Sequence, residues 1–168
     1  MKTIIYSILF VLISINTLAQ NENISPFIGT WEWQEDNKRF IVEIYYKYGN
    51  ALEGNFKMEE TTANGLTSVI YTSNKLIGTI GEVNYYNHGF SGHSENGVFL
   101  WGTIVDRVLC GDGFHTPKMG SLGLTIQSSC STCPTTATWV IEGTYGLHLE
   151  SEPDEFTIPT DIILTKID

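Results

Sequence analysis

The chain contains few charged residues, and few of these are basic. Lysine, arginine, aspartate and glutamate make up 17% of the 168 residues, with nine basic residues against 19 acidic ones. The resulting formal net charge of −10 repels nucleic-acid phosphates and anionic lipid headgroups. The composition therefore argues against nucleic acid as a partner.

The sequence also lacks an apolar run long enough to span a bilayer, which takes about 20 residues. The apolar run Ile4–Ile15 follows a single lysine and precedes the small residues Thr17 and Ala19, which is typical of a cleaved signal peptide. We predict a signal peptide over residues 1–19 and a single exported domain over 20–168, periplasmic or secreted and without stable membrane insertion. Cleavage leaves eight basic residues against 19 acidic ones, a formal charge of −11.

Convincing helical periodicity is absent after the predicted signal peptide, whereas alternation with a period of two is frequent. Phe40, Val42 and Ile44 share one face of a segment whose other face carries Arg39 and Glu43. Such alternation is typical of strands, and the Asn-Gly and Gly-Asn pairs between these segments favour tight hairpins. The pattern predicts an all-β, antiparallel meander of roughly eight to ten strands.

A short pattern recurs along the chain: an apolar residue, any residue, glycine, threonine or asparagine, and an apolar residue. Its glycines are Gly29, Gly54, Gly78, Gly102 and Gly143. Each glycine shares a face with its apolar neighbours, because residues i and i+2 of a strand point the same way. An inward glycine permits sharp coiling or leaves room for a bulky neighbour, and a sheet that closes on itself needs both. We therefore expect an up-and-down β-barrel, with a β-sandwich as the alternative.

The first copy of this pattern, Phe27-Ile28-Gly29-Thr30-Trp31, resembles the Gly-x-Trp motif in the first strand of lipocalins and fatty-acid-binding proteins. The whole chain is also similar to small secreted bacterial proteins of a lipocalin-like family of unknown function. This resemblance implies a barrel plugged at one end by Trp31, with an apolar interior able to take a small ligand. Lipocalins usually place an arginine over that tryptophan from a late strand, where this chain has only Lys166 as a basic residue.

Aromatic side chains are the candidates for lining such an interior. The candidates are Phe40, Tyr46, Phe56, Trp101, Trp139 and Tyr145. They suit a small apolar or amphipathic ligand, and an ordinary filled core is the alternative reading. We expect a binding protein without cofactor or catalysis, because no nucleophile elbow, phosphate-binding loop or dinucleotide fingerprint is present.

Among the carboxylates, Asp106 stands apart because it continues the apolar face of Leu100 and Ile104. Most other carboxylates alternate outward from apolar faces and are expected to be solvated. Asp106 is therefore predicted to be either a group at the barrel rim or a buried acid.

The irregular region at residues 110–136 contains all three cysteines. Export favours a structural disulfide, either between Cys110 and one of the other two or between Cys130 and Cys133. With His115, the three cysteines also have the residue types of a tetrahedral zinc site, a less favoured reading. Redox catalysis is disfavoured, because no βαβ pattern surrounds the Cys-x-x-Cys pair. The alternative function is a surface interaction or structural module that acts through these loops on an unknown partner.

Overall fold

The computed structural model describes residues 24–74, 76–80, 83–86, 88–108, 116–127, 133–143 and 154–168, with only the backbone described in 76–80 and 83–86. These residues form β-strands and turns without a helix, so none of them belongs to a helix long and apolar enough to cross a membrane. The strands are β1 (Gly29–Glu35), β2 (Lys38–Tyr48), β3 (Ala51–Thr61), β4 (Thr67–Thr72), β5 (Leu76–Ile80), β6 (Val83–Tyr86), β7 (Phe90–Ser94), β8 (Phe99–Asp106), β9 (Lys118–Gln127), β10 (Thr136–Gly143) and β11 (Asp161–Lys166).

Eight of the strands close into an antiparallel up-and-down barrel. β1 pairs with β2, β2 with β3 and β3 with β7. From β7 onward each strand pairs with the next, and β11 returns to β1. The predicted all-β barrel is therefore confirmed, and the sandwich alternative is wrong. β5 and β6 form a separate two-stranded hairpin.

The barrel strand between β3 and β8 is interrupted. β4 pairs with the Lys57–Thr61 half of β3, and β7 pairs with the Ala51–Gly54 half, so β4 and β7 are two parts of one strand. Ser73 fixes the point of interruption, because its hydroxyl accepts a hydrogen bond from the Phe56 N–H at 2.8 Å. In the described sheet β4 pairs only with β3, which leaves β4 and β8 unpaired with each other.

The alternation seen in the sequence places the apolar residues inside the barrel. Phe40, Val42 and Ile44 are all buried, and each such side chain contributes about 1.5–3 kcal/mol on burial. The recurring glycine of β3 makes room for a bulky neighbour, because a Cβ at Gly54 would lie only 2.1 Å from the Phe90 ring. Aromatic side chains thus fill space that the inward glycine leaves.

One end of the barrel, here called the closed end, is covered by the turn at residues 24–27. Trp31 is buried there, and its indole N–H donates a hydrogen bond to the Phe27 carbonyl oxygen at 2.8 Å. Lys166 faces Trp31 across the β1–β11 ladder, with its Nζ 5.6 Å from the ring centroid. The ammonium donates to the Pro26 carbonyl oxygen at 3.1 Å, and burial lowers the pKa of Lys166. A lysine therefore lies over the tryptophan where the lipocalin resemblance expects an arginine.

Candidate functional site

A cluster of aromatic rings crosses the middle of the barrel. Phe40 packs against Phe56 and Trp139, with ring centroids 5.9 and 5.8 Å apart. Phe90 meets Trp139 edge-on from the other side, at 5.6 Å. These distances are those of direct ring contact, so the rings fill this level of the interior and form a floor below anything bound above it.

Of the six aromatic residues predicted to line the interior, three are buried, two are exposed and one lies outside the described residues. Phe40, Phe56 and Trp139 are buried and inward, as just described. Trp101 is 49% exposed on the outer surface, so its predicted interior position is wrong. The reason is strand alternation, since its neighbour Leu100 takes the inward position.

Tyr46 is also outside the buried interior, and Tyr145 lies outside the described residues. Tyr46 is two residues after the inward residue Ile44, so strand alternation predicts that it also points inward. It lies near the end of β2, however, where the register with β3 shifts, and it is 49% exposed. Strand alternation alone therefore does not bury a side chain, because neighbouring strands must also extend past that residue to cover it.

Tyr71 brings an unsatisfied hydroxyl into the apolar interior. It pairs with Met58 across the β3–β4 ladder, and its ring meets Phe56 edge-on at 6.4 Å. Among the described residues, its buried hydroxyl is the side-chain group with no hydrogen-bond partner. Burial, and then the charge of Asp106, raise the pKa of Tyr71, which keeps the phenol protonated as a donor. Leaving such a group unsatisfied costs about 1–3 kcal/mol.

Asp106 lies at the end of the barrel opposite the closed end, where β8 ends and β9 begins, here called the far end. Of the two alternatives for this residue, the structure shows a buried acid, 5% exposed. One carboxylate oxygen accepts hydrogen bonds from the Thr157 N–H and hydroxyl, both at 2.7 Å, and the other accepts from the Val108 N–H at 3.0 Å. Three donors compensate the buried charge, because hydrogen bonds to an ionised acceptor are the stronger kind.

The segment at residues 154–160, here called the strap, packs against the far end just before β11. Ile158 is buried in the core, and the Pro159 carbonyl oxygen accepts from the Trp139 indole N–H at 3.0 Å. The Phe156 ring lies 5.4 Å from the Nζ of the buried Lys118. Asp106 thus fixes the strap on one side of the far end, and Tyr71 presents its hydroxyl nearby.

The cysteine and zinc predictions fall largely on residues that the structure does not describe. Cys110, His115 and Cys130 lie outside the described residues, and Cys133 is an exposed residue just before β10. Within the described ranges, no group of three or more histidine, cysteine, aspartate or glutamate residues is arranged to hold a metal ion. The disulfide and the zinc site therefore stay predictions.

At the far end, the sequence did not indicate Tyr71 and Thr157, because their roles depend on contacts between residues far apart in the chain. Tyr71 lies in a segment with no strict alternation, so its inward direction follows only from pairing with Met58. Thr157 lies in an irregular stretch and reaches Asp106 from 51 residues away. The one signal available in the sequence was the position of Asp106 on an apolar face.

Together the fold and its motif define a closed antiparallel barrel that is compatible with a lipocalin-like fold. In a comparison with known families, residues 1–89, more than half of the chain, match DUF6705, which is described as a family of unknown function. The chain belongs to this family. No curated protein and no solved structure matches it.

Proposed function

We propose that this protein is exported and that it binds a small amphipathic molecule at the far end of the barrel, without catalysing a reaction. The observation that carries the proposal is the Tyr71 hydroxyl, buried without a partner at the edge of an apolar interior. A ligand that places a polar atom against this hydroxyl would recover the hydrogen bond that the free protein lacks.

The surroundings of Tyr71 indicate the chemistry of the ligand. Met58 and Phe56 supply apolar contact, which favours an alkyl or aromatic body. The protonated phenol donates, so the polar head of the ligand must accept. The charge of Asp106 already acts on Tyr71, and it would repel an anionic head in the same way. The expected ligand therefore has a neutral head, such as an alcohol, an ester or an amide.

The aromatic floor limits how deeply such a ligand reaches. The Phe40 ring contacts both the Phe56 ring and the Trp139 ring directly across the barrel. A ligand in this protein is consequently held above these rings and towards the strap, and it is short compared with the full length of the barrel.

A displacement experiment tests this function on the chain without residues 1–19. N-phenyl-1-naphthylamine, a neutral fluorescent probe, is bound first and is then displaced with 1-decanol or with decanoate. The two competitors share a chain length and differ in charge, so we expect decanol to displace the probe at about tenfold lower concentration. Failure of the probe to bind, or equal displacement by the two competitors, would contradict the proposal.

The Tyr71→Phe variant links this binding to the hydroxyl. It should weaken decanol binding several-fold, while Tyr46→Phe, which removes an exposed hydroxyl, should leave it unchanged. Native mass spectrometry of the purified protein, with and without reductant, would show a co-purified ligand, a bound zinc and the disulfide count together. If no interior ligand is found, the surface module at residues 110–136 becomes the leading function.

A further inference from the structure

A groove crosses the outer surface of the barrel over β8, β9 and β10. Phe99 and Trp101 of β8 line one side, Val140 of β10 lines the other, and Gly123 of β9 lies between them. Its volume of about 330 Å³ falls within the range of small-molecule sites, roughly 300–1,000 Å³. The groove is separate from the interior site, because these outward side chains lie on the other face of the sheet.

The floor of the groove exists because position 123 is a glycine, and the fold does not require one there. Among the described residues, a Cβ at Gly123 would meet only the Phe99 ring, at 3.5 and 3.9 Å, which are ordinary contact distances. Its backbone is not in the left-handed region either. A glycine within a strand lowers stability relative to most other residues. Gly123 therefore leaves the groove open and makes the fold less stable. Gly54 differs, since a Cβ there would overlap the Phe90 ring.

The aromatic side of the groove is held in place from behind. The Trp101 and His93 rings pack against each other across the β7–β8 ladder, with centroids 3.7 Å apart and planes tilted by 59°, and Trp101 nevertheless remains 49% exposed. Packing against His93 restricts the indole, so less conformational entropy is lost when a ligand stacks on it.

Polar groups border this aromatic surface. Ser121 and Thr125 lie on either side of Gly123 on the outward face of β9, and Glu142 is the cross-strand partner of Ser121. Their hydroxyls both donate and accept, and the carboxylate accepts. Among the described residues that line the groove, Glu142 is the single charged one, and its charge disfavours anionic ligands.

We infer that this groove binds a neutral saccharide, with one sugar ring stacked on Trp101. A sugar ring has an apolar C–H face and an edge of hydroxyl groups, and the groove offers an aromatic face bordered by hydrogen-bonding side chains. The electron-rich face of the indole attracts the C–H groups, and the Glu142 carboxylate accepts two bonds from neighbouring sugar hydroxyls. Ser121 and Thr125 bond the remaining hydroxyls along the edge.

The test uses four neutral disaccharides: cellobiose, maltose, lactose and N,N′-diacetylchitobiose. Each is titrated into the ¹⁵N-labelled chain without residues 1–19, and the indole N–H resonance of Trp101 is assigned with Trp101→Phe. At least one disaccharide should shift this resonance together with the backbone resonances of residues 121–125. Glu142→Gln should weaken that binding, and Trp101→Ala should weaken it by at least about tenfold.

Gly123→Val is the sharpest variant, because it fills the groove at a strand position where an added Cβ makes only ordinary contacts with described residues. It should melt at or above the temperature of the wild-type protein and lose saccharide binding, while decanol still displaces the naphthylamine probe from it. Val69→Ala, at an exposed position of β4 outside the groove, is the matched control and should bind as the wild type does.

Three results would overturn the inference. The first is that none of the four disaccharides shifts the Trp101 resonance. The second is that a folded Gly123→Val variant retains wild-type affinity. The third is that choline chloride shifts the groove resonances and the disaccharides do not, which would make the groove a site for organic cations.

Discussion

The two ends of the barrel treat their polar groups differently. At the closed end, the Trp31 indole N–H and the Lys166 ammonium both donate to backbone carbonyl oxygens of residues 26–27. At the far end, both carboxylate oxygens of Asp106 accept hydrogen bonds, from Thr157 of the strap and from Val108, yet the Tyr71 hydroxyl has no partner among the described residues. The closed end satisfies these polar groups within the chain, whereas the far end leaves one hydroxyl unsatisfied, which is the position where we propose that a ligand binds.

The largest expected effect comes from breaking the closed end. Trp31→Ala removes a fully buried side chain together with its hydrogen bond, and it should lower the free energy of unfolding by about 4 kcal/mol. Urea unfolding followed by circular dichroism measures this loss. Trp101→Ala, at a half-exposed position, should cost about 1 kcal/mol or less; an equal loss in the two variants would show that Trp31 has no special role.

The next effect comes from detaching the strap. Asp106→Ala removes the acceptor for Thr157 and Val108 and should lower the free energy of unfolding by about 2–3 kcal/mol. Hydrogen exchange should also become faster at the Thr157 amide, while exchange at the closed end stays slow. Glu142→Ala, at an exposed carboxylate, is the control and should change stability by less than about 0.5 kcal/mol.

A smaller effect, of opposite sign, is expected at Tyr71. Tyr71→Phe removes a buried hydroxyl that the free protein leaves unsatisfied, so the ligand-free variant should be more stable by about 1 kcal/mol. Urea unfolding of ligand-free samples checks this, with Tyr46→Phe as the neutral control. A loss of stability in Tyr71→Phe would mean that the hydroxyl already has a partner.

The smallest effect concerns acid stability at the closed end. Asp168 accepts hydrogen bonds from the Thr30 hydroxyl, at 2.7 Å, and from the Thr30 N–H, and the two together lower its pKa. A lowered folded-state pKa gives stability that is present above the unfolded-state value of about 4 and is lost as the pH falls through the folded-state pKa. Asp168→Asn should therefore flatten the pH dependence of the unfolding midpoint below about pH 4. If the unfolding midpoint of Asp168→Asn depended on pH below about pH 4 as that of the wild-type protein does, the hydrogen bonds between Asp168 and Thr30 would contribute nothing to acid stability.

The barrel was predictable where burial is one-sided, because alternation then records which face is inward. Phe40, Val42 and Ile44 show this, and so does the motif that ends in Trp31. The division of one barrel strand into β4 and β7 was not predictable, since it depends on which half of β3 each part pairs with. No local pattern records that choice.

The site was predictable only in part for the same reason. Asp106 was marked by its place on an apolar face, but its hydrogen bonds come from a residue 51 positions away. Trp101 was predicted to line the interior because it is aromatic, but strand alternation places it on the outer face, and it is exposed. Composition identifies candidate residues, and pairing decides where they point.

The most direct test of the far-end site is the order of stability of the wild-type protein and Tyr71→Phe, measured by thermal unfolding with and without 1-decanol. Without decanol, the variant should melt at the higher temperature, because it lacks the unsatisfied hydroxyl. With saturating decanol, the wild-type protein should melt at the higher temperature, because the ligand completes the Tyr71 hydrogen bond. If decanol raises both melting temperatures equally, or raises neither, the hydroxyl does not contact a ligand and the proposed site is wrong.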